Sequence, residues 1–433
     1  MARSTTALLV WLLSIHAAAA GLRLDEAVAR AQDKNPALRE QAALVESARA
    51  ELKRSRILVP SDPTLEIEHE TDGPFQGSGE KASGVRLSQE LSLGKRSPRV
   101  AAAEASLQAA EAAYDHARRR LVRDVRAAFF DLLAAQRGLE LAAETLKLNE
   151  DLTSAADARL KTGDISVLER DLALTELEAA KAGAHAAEMQ RRRAEVALGR
   201  LMGGPGEKLS VEGEPPHLPA GLDEGQLLRE AASSRLDLKA RSAEVRAAEG
   251  QRDLARRGYI PDPEVSLFVT RERGVLAGDD FRGDPSVVSG IDLVTDEDVL
   301  AGVSVGIRLP VTGHVRAEIA ARQAELEGRK AALEVATVDA AAELQSALAA
   351  AAEADTTVRI FEELAPRVEG NLKLLRKAYE SGQISLADYL VQKDRSLAVR
   401  RALVEAQAAV GRALADLDLA AGQDLAFDKP GAP

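Results

Sequence analysis

The sequence predicts a mainly α-helical fold with a small transmembrane β part, in which one helix–strand–strand–helix–helix unit occurs twice. Three observations predict it. Sequence motifs recur in the same order in both halves, four short segments alternate between apolar and polar residues, and two helical segments are too long for a compact domain. The composition agrees, because an Ala- and Leu-rich chain with only 3% aromatic residues is typical of long helices in close contact.

Residues 1–20 have the pattern of a secretory signal peptide. Arg3 gives a short basic region, an apolar stretch follows, and Ala18 and Ala20 form a small-residue cleavage site. The apolar stretch is too short for a membrane-spanning helix. We therefore expect cleavage near Ala20 and a mature protein that has left the cytoplasm.

The composition excludes several classes of protein. The 433 residues carry a formal net charge of -12, which argues against a nucleic-acid partner, and they include no cysteine for disulfides or for a lipid anchor. After the signal peptide, no stretch approaches 18 consecutive apolar residues, so no transmembrane helix is predicted. Any insertion into a membrane must then be through β-strands.

Four motifs recur between the two halves at an offset of about 200 to 220 residues. The pairs are Leu24-Asp25-Glu26 with Leu222-Asp223-Glu224, Asp62-Pro63 with Asp262-Pro263, Gly84-Val85 with Gly302-Val303, and Gly163-Asp164-Ile165-Ser166 with Gly382-Gln383-Ile384-Ser385. We divide the mature chain into a first repeat (21–202), a linker rich in Gly and Pro (203–221), a second repeat (222–421) and a C-terminal tail (422–433).

Each repeat contains the same predicted elements in the same order. The first helix spans about 24–59 and 222–258, with a kink at Pro36, the long helix spans about 98–162 and 314–380, and the last helix spans about 166–202 and 385–421. Two strands lie between the first helix and the long helix. At 1.5 Å per residue the long helix from 98 to 162 is roughly 97 Å long.

The strands alternate with a period of two residues. Residues 85–93 and 303–311 place apolar side chains on one face and polar side chains on the other, and 64–71 and 264–271 do so more weakly. The pattern is typical of transmembrane strands and equally of a half-buried soluble sheet; the signal peptide favours the membrane. Four strands cannot close a barrel, so two chains with eight strands or three with twelve must share one. The acidic connection at 272–301 is predicted to be a solvated external loop.

Heptad spacing on the long helices predicts helix-on-helix packing. Val125, Leu132, Leu139 and Leu146 recur every seven residues on the first long helix. The first and last helices of a repeat together match the length of the long helix, so they can stack end to end beside it. Several such pairs around an axis would form a hollow wall, and the alternative is an antiparallel coiled-coil rod.

Both long helices end in a predicted hairpin tip with helix-capping residues. Gly163 and Gly382 are placed as left-handed C-caps, and Ser166 and Ser385 as N-caps. Glu169 and Asp388 complete the capping boxes, and Ile165 and Ile384 precede them as hydrophobic staples. A structural turn explains every one of these residues. Two exposed tips per chain would in addition offer a docking surface to a partner.

These features together resemble the TolC family of outer-membrane efflux proteins, over essentially the whole mature chain. The resemblance depends on the duplicated plan, on the tips at 160–168 and 379–390, on Asn35-Pro36-Ala37-Leu38 and on Tyr259-Ile260-Pro261. Leu91-Ser92-Leu93-Gly94-Lys95-Arg96, leading into the long helix, is most similar to the heavy-metal (cobalt–zinc–cadmium type) branch.

The resemblance implies an assembly in the outer membrane. It implies a homotrimer that shares a 12-stranded β-barrel in outer-membrane lipid and continues as a long α-helical tunnel in the periplasm. It also implies two partners, a periplasmic adaptor (membrane fusion protein) and an inner-membrane pump of the resistance–nodulation–division type. In that family residues near the second tip close the tunnel, which makes Asp388 and Tyr379 gate candidates, with Glu169 at the matching place of the first tip. Val391 and Ile384 depart from some members, so a second acidic ring is not expected.

No motif for enzymatic chemistry, nucleotide binding or a cofactor is present, and no two histidines have helical metal-ligand spacing. The expected function is therefore a passive conduit of a tripartite efflux system, exporting small solutes and in particular divalent heavy-metal cations. The alternatives are a drug or protein export duct of the same fold, or a soluble periplasmic coiled-coil scaffold.

Overall fold

The computed structural model describes residues 21–59, 61–71, 81–204, 206, 208–276 and 294–425. The predicted signal peptide and the acidic side chains of Asp279, Asp280, Asp284 and Asp292 lie outside the described residues. Among the described residues, no helix combines the length and the apolar character needed to cross a bilayer.

The predicted order of elements is confirmed in both halves. The first half comprises α1 (Leu24–Lys34), α2 (Pro36–Ser55), β1 (Thr64–Thr71), β2 (Lys81–Glu90), α3 (Arg96–Thr162) and α4 (Val167–Leu201). The second half comprises α5 (Glu224–Ser234), α6 (Leu236–Arg256), β3 (Pro263–Leu276), β4 (Val294–Ile307), α7 (His314–Glu380) and α8 (Leu386–Ala421). The long helices α3 and α7 have 67 residues each, so each is about 100 Å long.

The first helix of each half is broken into two, where the sequence predicted one continuous helix in each half and a kink at Pro36 in the first half alone. At Asn35 the backbone is extended (φ -66°, ψ 124°), because a following proline disfavours the helical conformation of the residue before it. The Asn35 side chain accepts the N–H of Ala37 at 2.8 Å and donates to the Leu201 carbonyl at 2.8 Å. Arg235 takes the same extended conformation without a proline, and its guanidinium is held by Asp237 and Glu343 at 2.7 Å each.

The strand boundaries also differ from the prediction. β2 ends at Glu90 and β4 ends at Ile307, so the predicted strand residues up to 93 and 311 lie beyond the sheet. Gly94 follows with a left-handed φ of 68°, which turns the chain toward α3. In the other direction β3 and β4 are longer than predicted. They extend to Leu276 and from Val294, so part of the predicted acidic loop belongs to the strands.

The four strands form one antiparallel sheet in the order β1-β2-β3-β4. Cross-strand pairing aligns the apolar residues in rows on one face. The rows are Leu65–Leu87–Leu267–Val303 and Ile67–Val85–Val269–Ala301. These side chains are exposed in the single chain, with Leu65, Leu267 and Val303 at 61%, 54% and 66% of their full accessibility. The outer edges of β1 and β4 have no neighbouring strand within the described chain.

The opposite face of the sheet is polar and acidic. Its carboxylates are Glu66, Glu68, Glu70, Glu90, Glu264, Glu272 and Asp298. Phe268 is an apolar exception on this face: the Arg86 guanidinium lies 5.4 Å from its ring centroid. Gly302 stands opposite Phe268 because a Cβ there would lie 2.6 Å from the ring. The predicted separation into an apolar and a polar face is therefore confirmed.

The chain divides into two compact units that each combine segments of both repeats. The helical unit comprises the described part of Met1–Ala43 together with Glu111–Ala240 and Glu334–Pro433, and the sheet unit comprises Leu44–Ala110 and Arg241–Leu333. In the sheet unit, Lys95 and Asp262 form an ion pair of 2.5 Å with both side chains 19% exposed. Close approach of α3 and α6 in this unit requires Gly250, where a Cβ would lie 2.7 Å from the Cβ of Ala102.

The described residues of the helical unit contain three separate apolar clusters. One surrounds Phe129 and Phe130, whose rings meet edge to face at 5.6 Å, and a second contains Leu344, Val358 and Leu414. The third, which we name the tip cluster, lies beside the hairpin tips. Its buried members are Leu152, Ala156, Ala173, Tyr379, Leu386, Tyr389 and Leu390.

The buried stripe of α3 departs from the predicted heptads toward the tips. Val125 and Leu132 are fully buried as predicted, but Leu139 and Leu146 are only half-buried. The buried positions there include the polar Thr145 and Asn149. A straight helix has 3.6 residues per turn, so a stripe written every seven residues rotates by about 20° per heptad and leaves the packed face.

Candidate functional site: the paired hairpin tips

Each long helix of the helical unit ends in a tight turn at a left-handed glycine. Gly163 has a φ of 80° and Gly382 a φ of 75°, a conformation that costs a residue with a Cβ roughly 1–2 kcal/mol. At the first tip the Asp164 N–H donates to the Arg159 carbonyl at 2.9 Å, and at the second the Gln383 N–H donates to the Ala378 carbonyl at 2.9 Å. These bonds satisfy carbonyls at the helix ends, as the capping motif requires.

The two tips begin their return helices with different versions of the capping box. At the first tip, the Ser166 hydroxyl accepts the Glu169 N–H at 3.2 Å, and the Glu169 carboxylate accepts the Ser166 N–H at 2.9 Å. At the second tip, the Ser385 hydroxyl accepts the Asp388 N–H at 3.1 Å and donates to the Asp388 carboxylate at 2.7 Å. Asp388 is exposed, whereas Glu169 is partly covered. The shorter Asp388 carboxylate thus bonds to the Ser385 hydroxyl, whereas the longer Glu169 carboxylate reaches the Ser166 N–H.

Tyr379 lies inside the tip cluster with only 5% of its surface exposed. Its ring stacks on Tyr389, with the centroids 5.3 Å apart and the planes 22° from parallel, and Arg159 lies 5.5 Å from its centroid. The Tyr379 hydroxyl is buried and has no hydrogen-bond partner among the described residues. Leaving a buried hydroxyl unpaired is unfavourable, by about 1–3 kcal/mol.

A small cavity of about 60 Å³ adjoins Tyr379. It is lined by Leu148, Asp151, Leu152, Ala155, Arg376, Tyr379, Glu380 and Tyr389. Arg376 donates from Nε to Glu380 at 2.9 Å and lies 3.7 Å from Asp151 on α3, so it connects the two hairpins. Burial is the main cause that raises the pKa of the Tyr389 phenol; nearby Arg376 opposes it, and Glu380 and Tyr379 add to it.

A buried lysine links three helices below the tips. Lys393 on α8 is 1% exposed, and its ammonium donates to the Asn149 amide oxygen at 3.0 Å and to the Glu176 carboxylate at 2.9 Å. Asn149 lies on α3 and Glu176 on α4, so one cation holds the first hairpin against the second. Carrying two partners offsets the cost of burying this charge.

The two tips differ in the apolar surface they expose. At the first tip Val167 and Leu168 are 64% and 70% exposed. The corresponding residues of the second tip are Leu386, which is buried at 1%, and the small Ala387. Ile165 and Ile384 both pack against the tip cluster, as staples would. The first tip therefore exposes two large apolar side chains at positions where the second tip has a buried leucine and an alanine.

The sequence pointed to the turn residues but missed Tyr389, Asn149 and Lys393. A signal was present, because Lys393 falls seven residues after Leu386 and four after Tyr389, on the apolar stripe of α8. A charged residue on such a stripe indicates either a break in the stripe or a buried partner. Among the described residues, no group of three or more His, Cys, Asp or Glu side chains is arranged to hold a metal ion.

The long helices, the exposed apolar sheet face and the tips define a chain built like a membrane channel component. The sequence matches the outer membrane efflux protein family over residues 27–204 and 227–423, so the chain belongs to that family. It is 28% identical over 257 residues to Protein CyaE of Bordetella pertussis. That match covers 57% of this chain and 54% of CyaE, about half the length of the relative.

Solved structures share the fold over nearly the whole chain. CusC, described for its conformational changes on folding and transmembrane channel formation, superposes with a TM-score of 0.74 at 20% identity, covering 92% of each chain. The outer membrane channel MtrE of Neisseria gonorrhoeae, in its open state, gives a TM-score of 0.72 at 23% identity, covering 93% of this chain and 89% of MtrE. At these identities the likeness establishes the fold: a helical tunnel chain with a small share of barrel strands.

Proposed function

We propose that the protein is the outer-membrane duct of a tripartite efflux system, a passive conduit and not an enzyme. The observation that carries the proposal is the sheet, whose apolar rows are exposed while both of its edges are unpaired in the described chain. An exposed apolar face and an open edge are each unfavourable in water, and a closed barrel in lipid resolves both. The predicted signal peptide at 1–20 would direct the chain out of the cytoplasm, as a position in the outer membrane requires.

Three copies would close the barrel with twelve strands, β1 of one protomer beside β4 of the next. The carboxylates of the polar face would then line the lumen, and the apolar rows would contact outer-membrane lipid. The paired helices would continue into the periplasm as the tunnel. A homotrimer is preferred over a dimer because an eight-stranded barrel leaves an interior just wide enough for side chains.

The hairpin tips are proposed to dock a periplasmic adaptor, the membrane fusion protein that connects the duct to an inner-membrane pump of the resistance–nodulation–division type. The turn residues Gly163, Ile165, Ser166, Gly382, Ile384 and Ser385 set the shape of this surface. Exposed Val167 and Leu168 on the first tip supply apolar area for such a contact.

The second tip is proposed to close the tunnel. Asp388 is exposed there, and three copies would form an anionic ring, while Tyr379 would act through its packing on Tyr389 and its free hydroxyl. Glu169 has the same position on the first tip, but it is partly covered whereas Asp388 is exposed, so Glu169 is the weaker gate candidate.

Divalent heavy-metal cations are the proposed cargo. An acidic lumen raises the local concentration of cations, and the carboxylates of the polar sheet face would supply such a lumen. Drug export and protein export by the same fold are the competing possibilities. Deleting the gene and measuring sensitivity to zinc, cobalt, cadmium, copper and dyes separates them, since equal metal sensitivity of mutant and parent would remove the metal assignment.

Membrane fractionation tests the duct itself. The protein should stay in the membrane pellet after carbonate and high-salt washes and should dissolve only in detergent, as a trimer. Release of a monomer by the washes would favour a soluble scaffold and end the proposal.

Conductance tests the gate. Asp388→Ala should raise the single-channel conductance of the purified trimer in a planar bilayer, while Asp394→Ala, another exposed acid on α8, should leave the conductance unchanged. An Asp388→Ala channel as closed as the parent would assign Asp388 to helix capping alone.

A further inference from the structure

The first described residues pair with the linker between the two repeats. The Leu22 N–H donates to the Ser210 carbonyl at 2.7 Å, and the Glu212 N–H donates to the Leu22 carbonyl at 3.1 Å. Together they form a parallel β-bridge between Leu22 and Val211. The chain therefore has a fixed path from Gly21 onward, before α1 begins.

The linker side of this bridge is itself held in place. Val211 is 3% exposed and Leu209 is 8% exposed, and both pack in the cluster around Phe129. The Val211 N–H donates to the Gln136 side-chain oxygen at 2.9 Å, and the Leu209 N–H donates to the Glu195 carboxylate at 2.7 Å. A segment fixed by these contacts offers a defined surface to the residues that pair with it.

Gly21 meets the Glu212 side chain at the end of this bridge. The Gly21 nitrogen donates to the Glu212 carboxylate at 3.1 Å. A Cβ at position 21 would lie 2.3 Å from Cγ and 2.6 Å from Cδ of Glu212. Since a glutamate side chain is flexible, a larger residue would displace the carboxylate and leave the backbone where it is. Glycine at 21 is thus what keeps the carboxylate on this nitrogen.

We propose that Gly21 is the first residue of the mature protein and that its α-ammonium forms an ion pair with Glu212. The inference depends on the secretion step of the proposed function. A signal peptidase hydrolyses the Ala20–Gly21 peptide bond with one water. Ala20 leaves with a new carboxylate, and the Gly21 nitrogen keeps the electron pair of the broken bond and is protonated to an ammonium group.

Cleavage changes the chemistry of this contact. Before it, the Gly21 nitrogen is a neutral amide with one N–H; afterwards it is a cation with three donors. A hydrogen bond from an ionised donor to a carboxylate is roughly twice as strong as a neutral one. Processing therefore fastens the new N-terminus to the linker, and Glu212 is the residue that recognises it. The charged groups of the two paired segments include Arg23, Asp25, Glu26, Lys208, Glu212 and Glu214.

The first measurement is the N-terminal sequence and intact mass of the full-length protein purified from membranes. The expected sequence begins Gly-Leu-Arg. A mature chain that begins at any other residue overturns the proposal, because no α-ammonium would then lie at position 21. This outcome leaves the duct proposal intact, since fractionation and conductance test that separately.

The second measurement is the rate at which N-hydroxysuccinimide acetate labels the α-amine near neutral pH, followed by mass spectrometry. An ion pair holds the amine in its protonated, unreactive form. Glu212→Gln should label about two- to fivefold faster than the parent, the range that an exposed ion pair supports. Glu214→Gln, an exposed acid two residues away, should label at the parent's rate. Equal rates for Glu212→Gln and the parent would overturn the ion pair.

A double-mutant cycle with Gly21→Ala separates the ion pair from other effects of the substitutions. The alanine Cβ should displace Glu212, so adding Glu212→Gln to Gly21→Ala should give no further increase in labelling rate. A full additional increase would mean that the carboxylate still reaches the amine, and would contradict the role assigned to Gly21.

Discussion

At the scale of single residues, a glycine lies where two helices of the helical unit are in close contact. Gly411 on α8 faces Phe130 on α3, and a Cβ there would lie 2.4 Å from two ring atoms. Both residues are buried, so neither can move aside into solvent.

Gly411→Ala is therefore expected to destabilise the protein by about 1–3 kcal/mol through overpacking, despite the better helix propensity of alanine. The matched control is Gly370→Ala, at an exposed position of α7 where an added Cβ meets nothing within 4 Å. Thermal unfolding of the detergent-purified protein should show a lower midpoint for the first variant and an equal or higher one for the second. A Gly411→Ala variant as stable as the parent would show that α3 and α8 can separate without cost.

Lys393 is a buried charge on the apolar stripe of α8, at a position where an apolar residue is expected. Replacing it by methionine keeps much of the side-chain length but leaves the Asn149 amide oxygen buried without its donor. An unsatisfied buried acceptor costs about 1–3 kcal/mol. We expect Lys393→Met to increase amide hydrogen exchange in the first turns of α8.

Lys373→Met is the control for this loss of charge. The Lys373 side chain is 73% exposed and pairs with Glu369, and such a surface pair contributes about 0–1 kcal/mol. If both variants exchange like the parent, the bridge between the hairpins is not a stabilising contact.

At the scale of elements, the Asp355 carboxylate attaches the linker to α7. Asp355 accepts the Leu218 N–H at 3.1 Å, contacts His217 Nδ1 at 3.0 Å and accepts from Arg359 Nε at 2.8 Å. Burial by itself raises the pKa of the Asp355 carboxyl, but the hydrogen bonds from Arg359, Leu218 and His217 outweigh it, so the net pKa lies below the usual value.

Because the folded-state pKa is depressed, this contact stabilises the fold fully above the unfolded pKa of about 3.9 and is lost as the pH falls through the folded value. Hydrogen exchange of the Leu218 amide, which donates to Asp355, should therefore be slow near neutral pH and should accelerate, beyond its intrinsic rate, in strong acid. Asp355→Asn should already show the faster exchange at neutral pH.

Asp339→Asn, at an exposed position of the same helix, is the control and should exchange like the parent. Identical pH profiles for Asp355→Asn and the parent would mean that the linker is held by its backbone alone.

At the scale of the whole molecule, the two faces of the sheet decide how the chain assembles. Leu267 lies in the middle of an exposed apolar row, between Leu87 and Val303. Thr270 lies on the polar face of the same strand, opposite Gly84. The proposed function places the first in lipid and the second in the lumen.

Leu267→Arg should then cost about 2–4 kcal/mol if its side chain reaches the bilayer midplane, and Thr270→Arg should be tolerated. The measurement is the amount of folded oligomer that detergent extracts from the outer-membrane fraction, compared with the parent. If Leu267→Arg gave the parent's amount of folded oligomer and Thr270→Arg gave none, the lipid-facing and lumen-facing sides of the sheet would have to be exchanged.

Periodicity and helix-capping chemistry made much of the fold predictable. The order of elements, the 67-residue helices and the capped turns at Gly163 and Gly382 follow from local preferences that each segment carries in its own sequence. Pro36 made a kink in the first helix predictable, although not the full break at Asn35. The break at Arg235 was not predictable, because it depends on carboxylates that include Glu343, more than 100 residues away.

The sequence by itself therefore determined the duplicated plan, the two faces of the sheet and the residues that form the tips. Only the tertiary structure decided that Lys393 is buried, that Tyr379 stacks on Tyr389 and that Gly21 meets Glu212. Each of these contacts joins residues that are distant in the sequence or lie on different helices. Their energies arise from burial and charge pairing in three dimensions, which a local pattern does not encode.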